Sequence, residues 1–444
     1  MCAICVGSYG GDKVSVKICI TGDSILMENM PASYQELGRV RDYIRQADVR
    51  INNMEMVLSN YDRFASTYCG GLWLTAEPEV LDDILKYGFN CFGFANNHTM
   101  DYSYGGVEST LTALRSKGMP VCGAGMSLAE ATAPAMVDTK EGKVAVLSIT
   151  STCDDAARAG DPGHVIPARP GLNMLRHSEV FLVNAEHMKA LEEIAQTTHI
   201  NGRINNSKRG GYTVSKPGIF NLGAVEFKLS EEEGKTSTPH PQDMERMRLA
   251  IAQAKEEAAY VVVCFHSHEI KGDLDEEPDY FIEEFARKCI DWGACAVIGS
   301  GTHQIKAVEM YKGKPIFYSI ANFIFQSEKP KQFPPDYHDR YGIDRSLSAQ
   351  EAMWIRSDGG KRGWETELKN YKGLMPLLEF ENGELVNAKI KPVELHFDDQ
   401  TGCKGLPRCA NAEVTQEVFE TLCQLSEPYG TKFALQDGLI TLEY

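Results

Sequence analysis

Apolar and polar residues alternate over residues 14–20 and the run ends at Gly22-Asp23, which predicts a strand. Over 34–47 the period lengthens to that of a helix, with Ser33 as the expected N-cap and Glu36 as its capping-box partner. Residues 49–53 read as a short strand. Residues 78–87 open on Pro78 and close before Gly88, the pattern of a helix. Then come an apolar strand at 89–94, a helix at 105–117 stopped by Gly118, and strands at 120–122 and 144–149. A helix at 243–259 precedes residues 260–265, apolar throughout, as a strand buried on both faces should be. A helix at 278–292 ends at Gly293, and a strand follows at 295–298. Strand and helix in turn predict an α/β fold built from βαβ units.

The pattern breaks in two places. Residues 151–240 carry Pro162, Pro167, Pro170 and a polar run at 201–211, with a helix expected at 178–196. They read as a loop-rich insertion. Residues 326–371 read as one long loop holding Tyr337, His338, Tyr341, Trp354 and Trp364; such loops are often lids or binding segments. Hairpins are expected at 306–318, around Lys312-Gly313-Lys314, and at 374–395, where Asn382-Gly383 makes the turn. A last helix is expected over 413–425. The expected division is a main domain at 1–325, with its insertion at about 151–240, and an extension at 326–444 packed on it.

Composition changes the picture only by exclusion. With 62 acidic against 45 basic residues the formal charge is −17, which argues against a nucleic-acid partner. No apolar run approaches the roughly 18–20 residues of a membrane span, and Met1–Gly7 lacks the basic region of a signal peptide. Thirteen cysteines, without CxxC pairing, fit a reducing, cytoplasmic setting.

The chemistry lies where strands end, the place an α/β fold builds its sites. Asp23 ends the first strand, Glu55 follows the second, and Asn97, His98 and Asp101 follow the third. His266 and His268 end the apolar strand, and His303 follows the next one. Hydrolysis of a phosphoester or amide needs an activated water and a sink for developing negative charge; two divalent ions about 4 Å apart supply both. Asp23 or Glu55 can bridge such ions, Asn97 offers an amide oxygen, and the imidazoles complete the shells. His98 is also a candidate general acid beside the ions, with Asp101 orienting it. Mixed nitrogen and oxygen donors fit one or two ions of manganese, iron or zinc. Arg203, Lys208 and Arg209 in the insertion are candidates to meet an anionic substrate. Neither GxGxxG nor GxxxxGK[ST] occurs in the right context, which sets aside a nucleotide-binding α/β domain.

Several motifs recur in order: Gly22-Asp23, Asn53-Met54-Glu55, the run from Ala95 to Tyr102 with Gly105-Gly106, the segment from His266 to Glu269, Asp291-Trp292-Gly293-Ala294, His303, Glu309 and residues 313–323. Together they cover about residues 16–326 and resemble the CapA-like capsule and poly-γ-glutamate synthesis family, itself similar to the calcineurin-like metallophosphoesterases. The resemblance implies a four-layer α/β/β/α sandwich with metals at the strand ends. It implies Asp23, Glu55, Asn97 and His303 as ligands, His98 beside them, and Asn322 and Glu309 as residues that bind substrate or brace the metal shell. Two departures stand out. Gly301 replaces a histidine usual two positions before His303, and Phe265-His266-Ser267-His268-Glu269 replaces the common His-Trp-Gly-x-Glu. His266 and His268 can share the missing role. The expected function is a metal-dependent hydrolase in which a metal-bound hydroxide attacks a phosphoester or an amide (γ-glutamyl or peptide-like) bond of a small molecule or anionic polymer. The alternative is a non-catalytic accessory or binding protein in poly-γ-glutamate or capsule polymer biosynthesis.

Overall fold

The computed structural model describes residues 15–398 and 401–443. Val14 and the Met1–Gly7 stretch considered as a leader lie outside them. The chain is a mixed α/β protein with two large sheets. In the first, Val16–Ile25, Val49–Met54, Cys91–Gly93 and Val121–Cys122 run parallel, and Asn322–Phe325 pairs parallel with the far end of Val16–Ile25. The long hairpin Lys372–Glu381 and Glu384–Leu395 joins Val16–Ile25 antiparallel, on the edge away from Val49–Met54. Its turn has Asn382 and Gly383 both at positive φ, 51° and 86°, the geometry an Asn-Gly hairpin needs. In the second sheet Gly142–Thr150, Tyr260–Ser267, Ala296–Gly301 and Lys314–Phe317 are parallel, with Ala135–Thr139 and Val308–Tyr311 as antiparallel edges.

Three apolar clusters explain the burial. One holds Ile18, Ile20 and Ile51 of the first sheet together with Val146, Val262 and Ile298 of the second, so these faces share a core. A second sets Phe92 and Phe323 among Val40, Ile84 and Leu111 of the helices Leu37–Ile44, Val80–Leu85 and Ser103–Ser116. A third packs Leu147, Val263 and Phe265 against Ile251 and Phe285 of Pro241–Glu257 and Tyr280–Trp292. Tyr260–Ser267 is apolar on both faces because both are covered.

Four expectations need correcting. The first helix is Leu37–Ile44 with Glu36 at its N-cap; Ser33 instead donates its hydroxyl to the Thr401 carbonyl. The expected helix at 178–196 begins as a strand, His177–Val183, and turns helical only at Ala185–Thr198, capped by Asn184. The insertion has its own four-stranded sheet. Residues 326–371 are not one loop: they contain Pro335–Tyr341, Ala349–Arg356 with a full Ser348–Glu351 capping box, and two 3-10 turns. A terminal hairpin, Lys432–Gln436 and Leu439–Glu443, turns at Asp437-Gly438 and extends the first sheet. Among the described residues no helix is long and apolar enough to cross a membrane.

Candidate metal centre

The parallel strands of both sheets deliver their carboxyl ends to one place. Asp23, Glu55, His266 and His303 are all buried there. Glu55 offers a carboxylate oxygen to two groups of ligand atoms, one with His266 and His268 and one with Asp23 and His303; within each group all atoms lie within 4.8 Å of one another. His268 Nε2 is 3.2 Å from His266 Nε2, and Asn97 Oδ1 is 2.8 Å from that same nitrogen.

Most of these groups have partners. Asn53 donates to Asp23 Oδ1 at 2.7 Å, and the Gly301 N–H donates to Oδ2 at 3.0 Å. Asn322 Oδ1 accepts from His303 Nδ1 at 2.8 Å, while its amide donates to the Asn370 carbonyl. Glu269 accepts from Ser151 and Thr152 and holds the turn that presents His268. Glu55 is the exception. It is fully buried, and neither carboxylate oxygen has a hydrogen-bond partner among the described residues. Its nearest imidazole nitrogen, on His266, is 3.5 Å away, too far for a good hydrogen bond. A buried carboxylate without partners is costly unless a cation joins it. The donor set, two carboxylates, three imidazoles and an amide, suits a divalent ion.

The electrostatics agree. Burial, then the charges of Asp23 and Asp101, push the Glu55 carboxyl well above its usual range. Burial would also raise Asp23, but His266, His303 and Ser300 outweigh it and hold it below. Burial and the neighbouring imidazoles take His268 well below its ordinary value; burial lowers His303 to about 4 despite the pull of Asp23. Both rings are therefore neutral and free to ligate.

His98 and Asp101 form a second unit. Asp101 is completely buried and accepts from the backbone N–H of Gly70 and of Leu74, both at 2.9 Å, and from His98 Nδ1 at 2.7 Å. It fixes the imidazole and the 70–74 loop together, and His98 Nε2 makes no hydrogen bond among the described residues. His98, His268 and His303 line a cavity of about 240 Å³.

Gly301 explains one departure from the expected motif. Its φ is 123°, and a Cβ there would lie 2.5 Å from the Ser267 carbonyl oxygen, so no histidine fits this backbone. His303 and Ala321 each hold φ at 58°, backbone strain of about 1 kcal/mol apiece kept at the site. Gly22 lets the first strand approach Ala321: a Cβ would meet its carbonyl oxygen at 1.7 Å.

Other sequence candidates lie elsewhere. Glu309 is held by Arg287 at 3.0 Å and Tyr318 at 2.5 Å, against the helix Tyr280–Trp292. Arg203, Lys208 and Arg209 sit on Gly202–Arg209 in the insertion, and none of them lines the cavity. Asn53 and Ser300 stand in the strand-end segments but take no role of their own in the sequence reading, because short polar residues there carry little signal alone. Arg356, Glu365 and Trp364 line the cavity from the segment read as loop.

The family model described as bacterial capsule synthesis protein PGA_cap matches residues 17–327. The chain belongs to this family. It is 29% identical over 434 residues to the uncharacterized protein y4sH of Sinorhizobium fredii (strain NBRC 101917 / NGR234), covering 95% of this chain and 92% of that one. It is 30% identical over 413 residues to y4uA of the same strain, covering 90% and 87%. It is also 24% identical over 254 residues to the PGA biosynthesis protein CapA of Bacillus subtilis (strain 168), covering 57% of this chain and 47% of that one. The PGA_cap match contains every candidate ligand and stops short of Arg356 and Trp364.

Lys306, near this centre, carries a prediction of its own. Its ammonium is buried without a hydrogen-bond partner among the described residues, and burial lowers its pKa from 10.5 to about 8, against the pull of Glu269 and Asp275. Between pH 8 and 10.5 the unfolded chain holds a proton there that the folded chain has shed, so stability rises with pH. Lys306→Met should flatten that rise and stabilise the protein near pH 7, by at most about 3 kcal/mol. Denaturant melts at pH 7 and pH 9.5 check it; a variant less stable than wild type at pH 7 would contradict it.

Proposed function

We propose that the chain is a metal-dependent hydrolase of a phosphoester or of an amide, γ-glutamyl or peptide-like, bond. The observation that carries this reading is Glu55, buried with both oxygens unpartnered and shared by two ligand groups. Asp23, Glu55, His266, His268 and His303, with Asn97 at the margin, would hold one or two ions of manganese, iron or zinc. Bound there, the ions supply Lewis acidity toward the scissile carbonyl or phosphoryl oxygen.

The chain's own groups do the rest. His98, held through Nδ1 by Asp101, presents Nε2 to the cavity and can pass a proton to the leaving oxygen or nitrogen. Asn53 and the Gly301 N–H hold the Asp23 carboxylate in one orientation, and Asn322 fixes the His303 ring. In this reading Asn322 acts by positioning, and Glu309 braces the hairpin Val308–Phe317 against a helix.

Two sheets sharing one core, with helices on their outer faces, support a four-layer α/β/β/α arrangement. We take residues 1–325 as the catalytic domain and 326–444 as an extension that completes its sheet and covers its site. The CapA name of the Bacillus subtilis relative favours the amide side and an anionic polymer or its fragments as substrate.

The test is purification without chelator, metal analysis, and assay of aryl phosphates and γ-glutamyl anilides with and without EDTA. One or two bound equivalents are expected, with turnover lost in EDTA and restored by manganese. Metal-free protein that binds poly-γ-glutamate without cleaving anything would favour the accessory-protein reading instead.

A further inference from the structure

Residues 335–371 lie outside the matched family region, yet they wall the cavity beside the candidate ligands. Trp364 stacks on His268 at 5.9 Å with planes 20° apart and meets His303 edge-on at 5.1 Å. The indole therefore lies against two candidate ligands, while 46% of the residue stays exposed. Arg356 closes the same cavity. Its Nη1 donates to Glu365 Oε1 at 3.0 Å, and its remaining donors make no hydrogen bond among the described residues. Glu365 is itself buried and lines the cavity, so the guanidinium is held beside it with N–H groups that have no partner among the described residues. An arginine so held matches a carboxylate or phosphate in two-point fashion.

The cavity holds about 240 Å³, below the usual range for drug-sized ligands, so it takes one small unit. The loop of Gly70, Gly71 and Leu72, which Asp101 ties down, lines it as well. A space of that size suits one compact unit of a substrate.

We infer that this segment makes the centre selective for a compact substrate end bearing a second anionic group, a carboxylate or phosphate, which Arg356 binds while Trp364 packs on the carbon skeleton beside it. Arg356 is the specificity-determining residue. The inference rests on the hydrolase reading for its place in a reaction, but its binding claim stands apart from turnover.

The experiment titrates glutarate, inorganic phosphate and glutaramide, the uncharged counterpart of glutarate, into the full chain. Tryptophan fluorescence is followed after EDTA treatment and again with manganese. Glutarate or phosphate should bind at least about ten-fold more tightly than glutaramide. The stronger of the two tells carboxylate from phosphate. Arg356→Gln should erase the preference, Arg356→Lys should keep part of it, and Trp364→Phe should remove most of the signal. Equal binding of glutarate, phosphate and glutaramide to wild type overturns the inference and needs no variant to fold. So does an Arg356→Gln protein that keeps the wild-type preference. Selective binding without any turnover sinks the hydrolase reading alone; EDTA-sensitive turnover with no charge preference sinks this one alone.

Discussion

Glu55→Gln should lose at least one equivalent of bound manganese and slow turnover on the order of 10³-fold. Altering a mere outer partner of a metal ligand already costs roughly 10–100-fold, and Glu55 is shared by both ligand groups. The same change should act oppositely on stability according to metal. In EDTA the wild-type chain buries a carboxylate with both oxygens unpartnered. Replacing it with a neutral amide should raise stability by about 1–3 kcal/mol. With manganese at about 100 times its dissociation constant, wild type should gain about 2.7 kcal/mol that the variant cannot. Calorimetric melts of both proteins, with EDTA and with manganese, read the crossing directly. A Glu55→Gln protein that binds metal normally, or melts below wild type in EDTA, would contradict the two-group centre.

Asp101→Asn should be the next largest effect, and it should damage both catalysis and folding. The carboxylate accepts two backbone N–H groups and the His98 ring. An amide at that position must turn its own N–H toward one of these donors. Hydrogen bonds to a charged acceptor contribute about 1.5–3 kcal/mol each, so a loss of about 2–4 kcal/mol is expected. Turnover should fall about 10²- to 10⁴-fold as the imidazole loses its orientation. His98→Gln separates the two roles: a similar fall in kcat, but a melt close to wild type and unchanged metal content. Near-normal kcat in His98→Gln would remove His98 from the mechanism. A large loss of metal would place it among the ligands instead.

The strand-end motifs were legible because each combines groups that are costly to bury with an apolar strand just before them. Asn97, His98 and Asp101 after Phe94 are the clearest case. Asp23 and Glu55 carried little alone and gained meaning from their order along the chain. The 326–371 stretch was harder. Its helices are short, and Pro334 and Pro335, the glycines around 359–363 and the exposed Trp354 and Trp364 hide their period. The helix expected from residue 178 failed because Val180, Phe181, Leu182 and Val183 form an apolar run that either period accommodates. Pairing with Gly234–Pro239 settled it as a strand.

What this chain determines by its sequence alone is local: where strands and helices alternate, which turn Asn382-Gly383 makes, and which polar groups stand at strand ends. Period, capping and turn chemistry act over a few residues and need no distant partner. The tertiary structure decided the rest. It made Glu55 common to two candidate ligand groups and turned Gly301 into a backbone donor to Asp23. It also brought Arg356 and Trp364 against histidines some 50 to 100 positions earlier. Those outcomes depend on contacts between segments far apart in the chain, such as the core the two sheets share, a long-range arrangement that no short stretch of residues encodes.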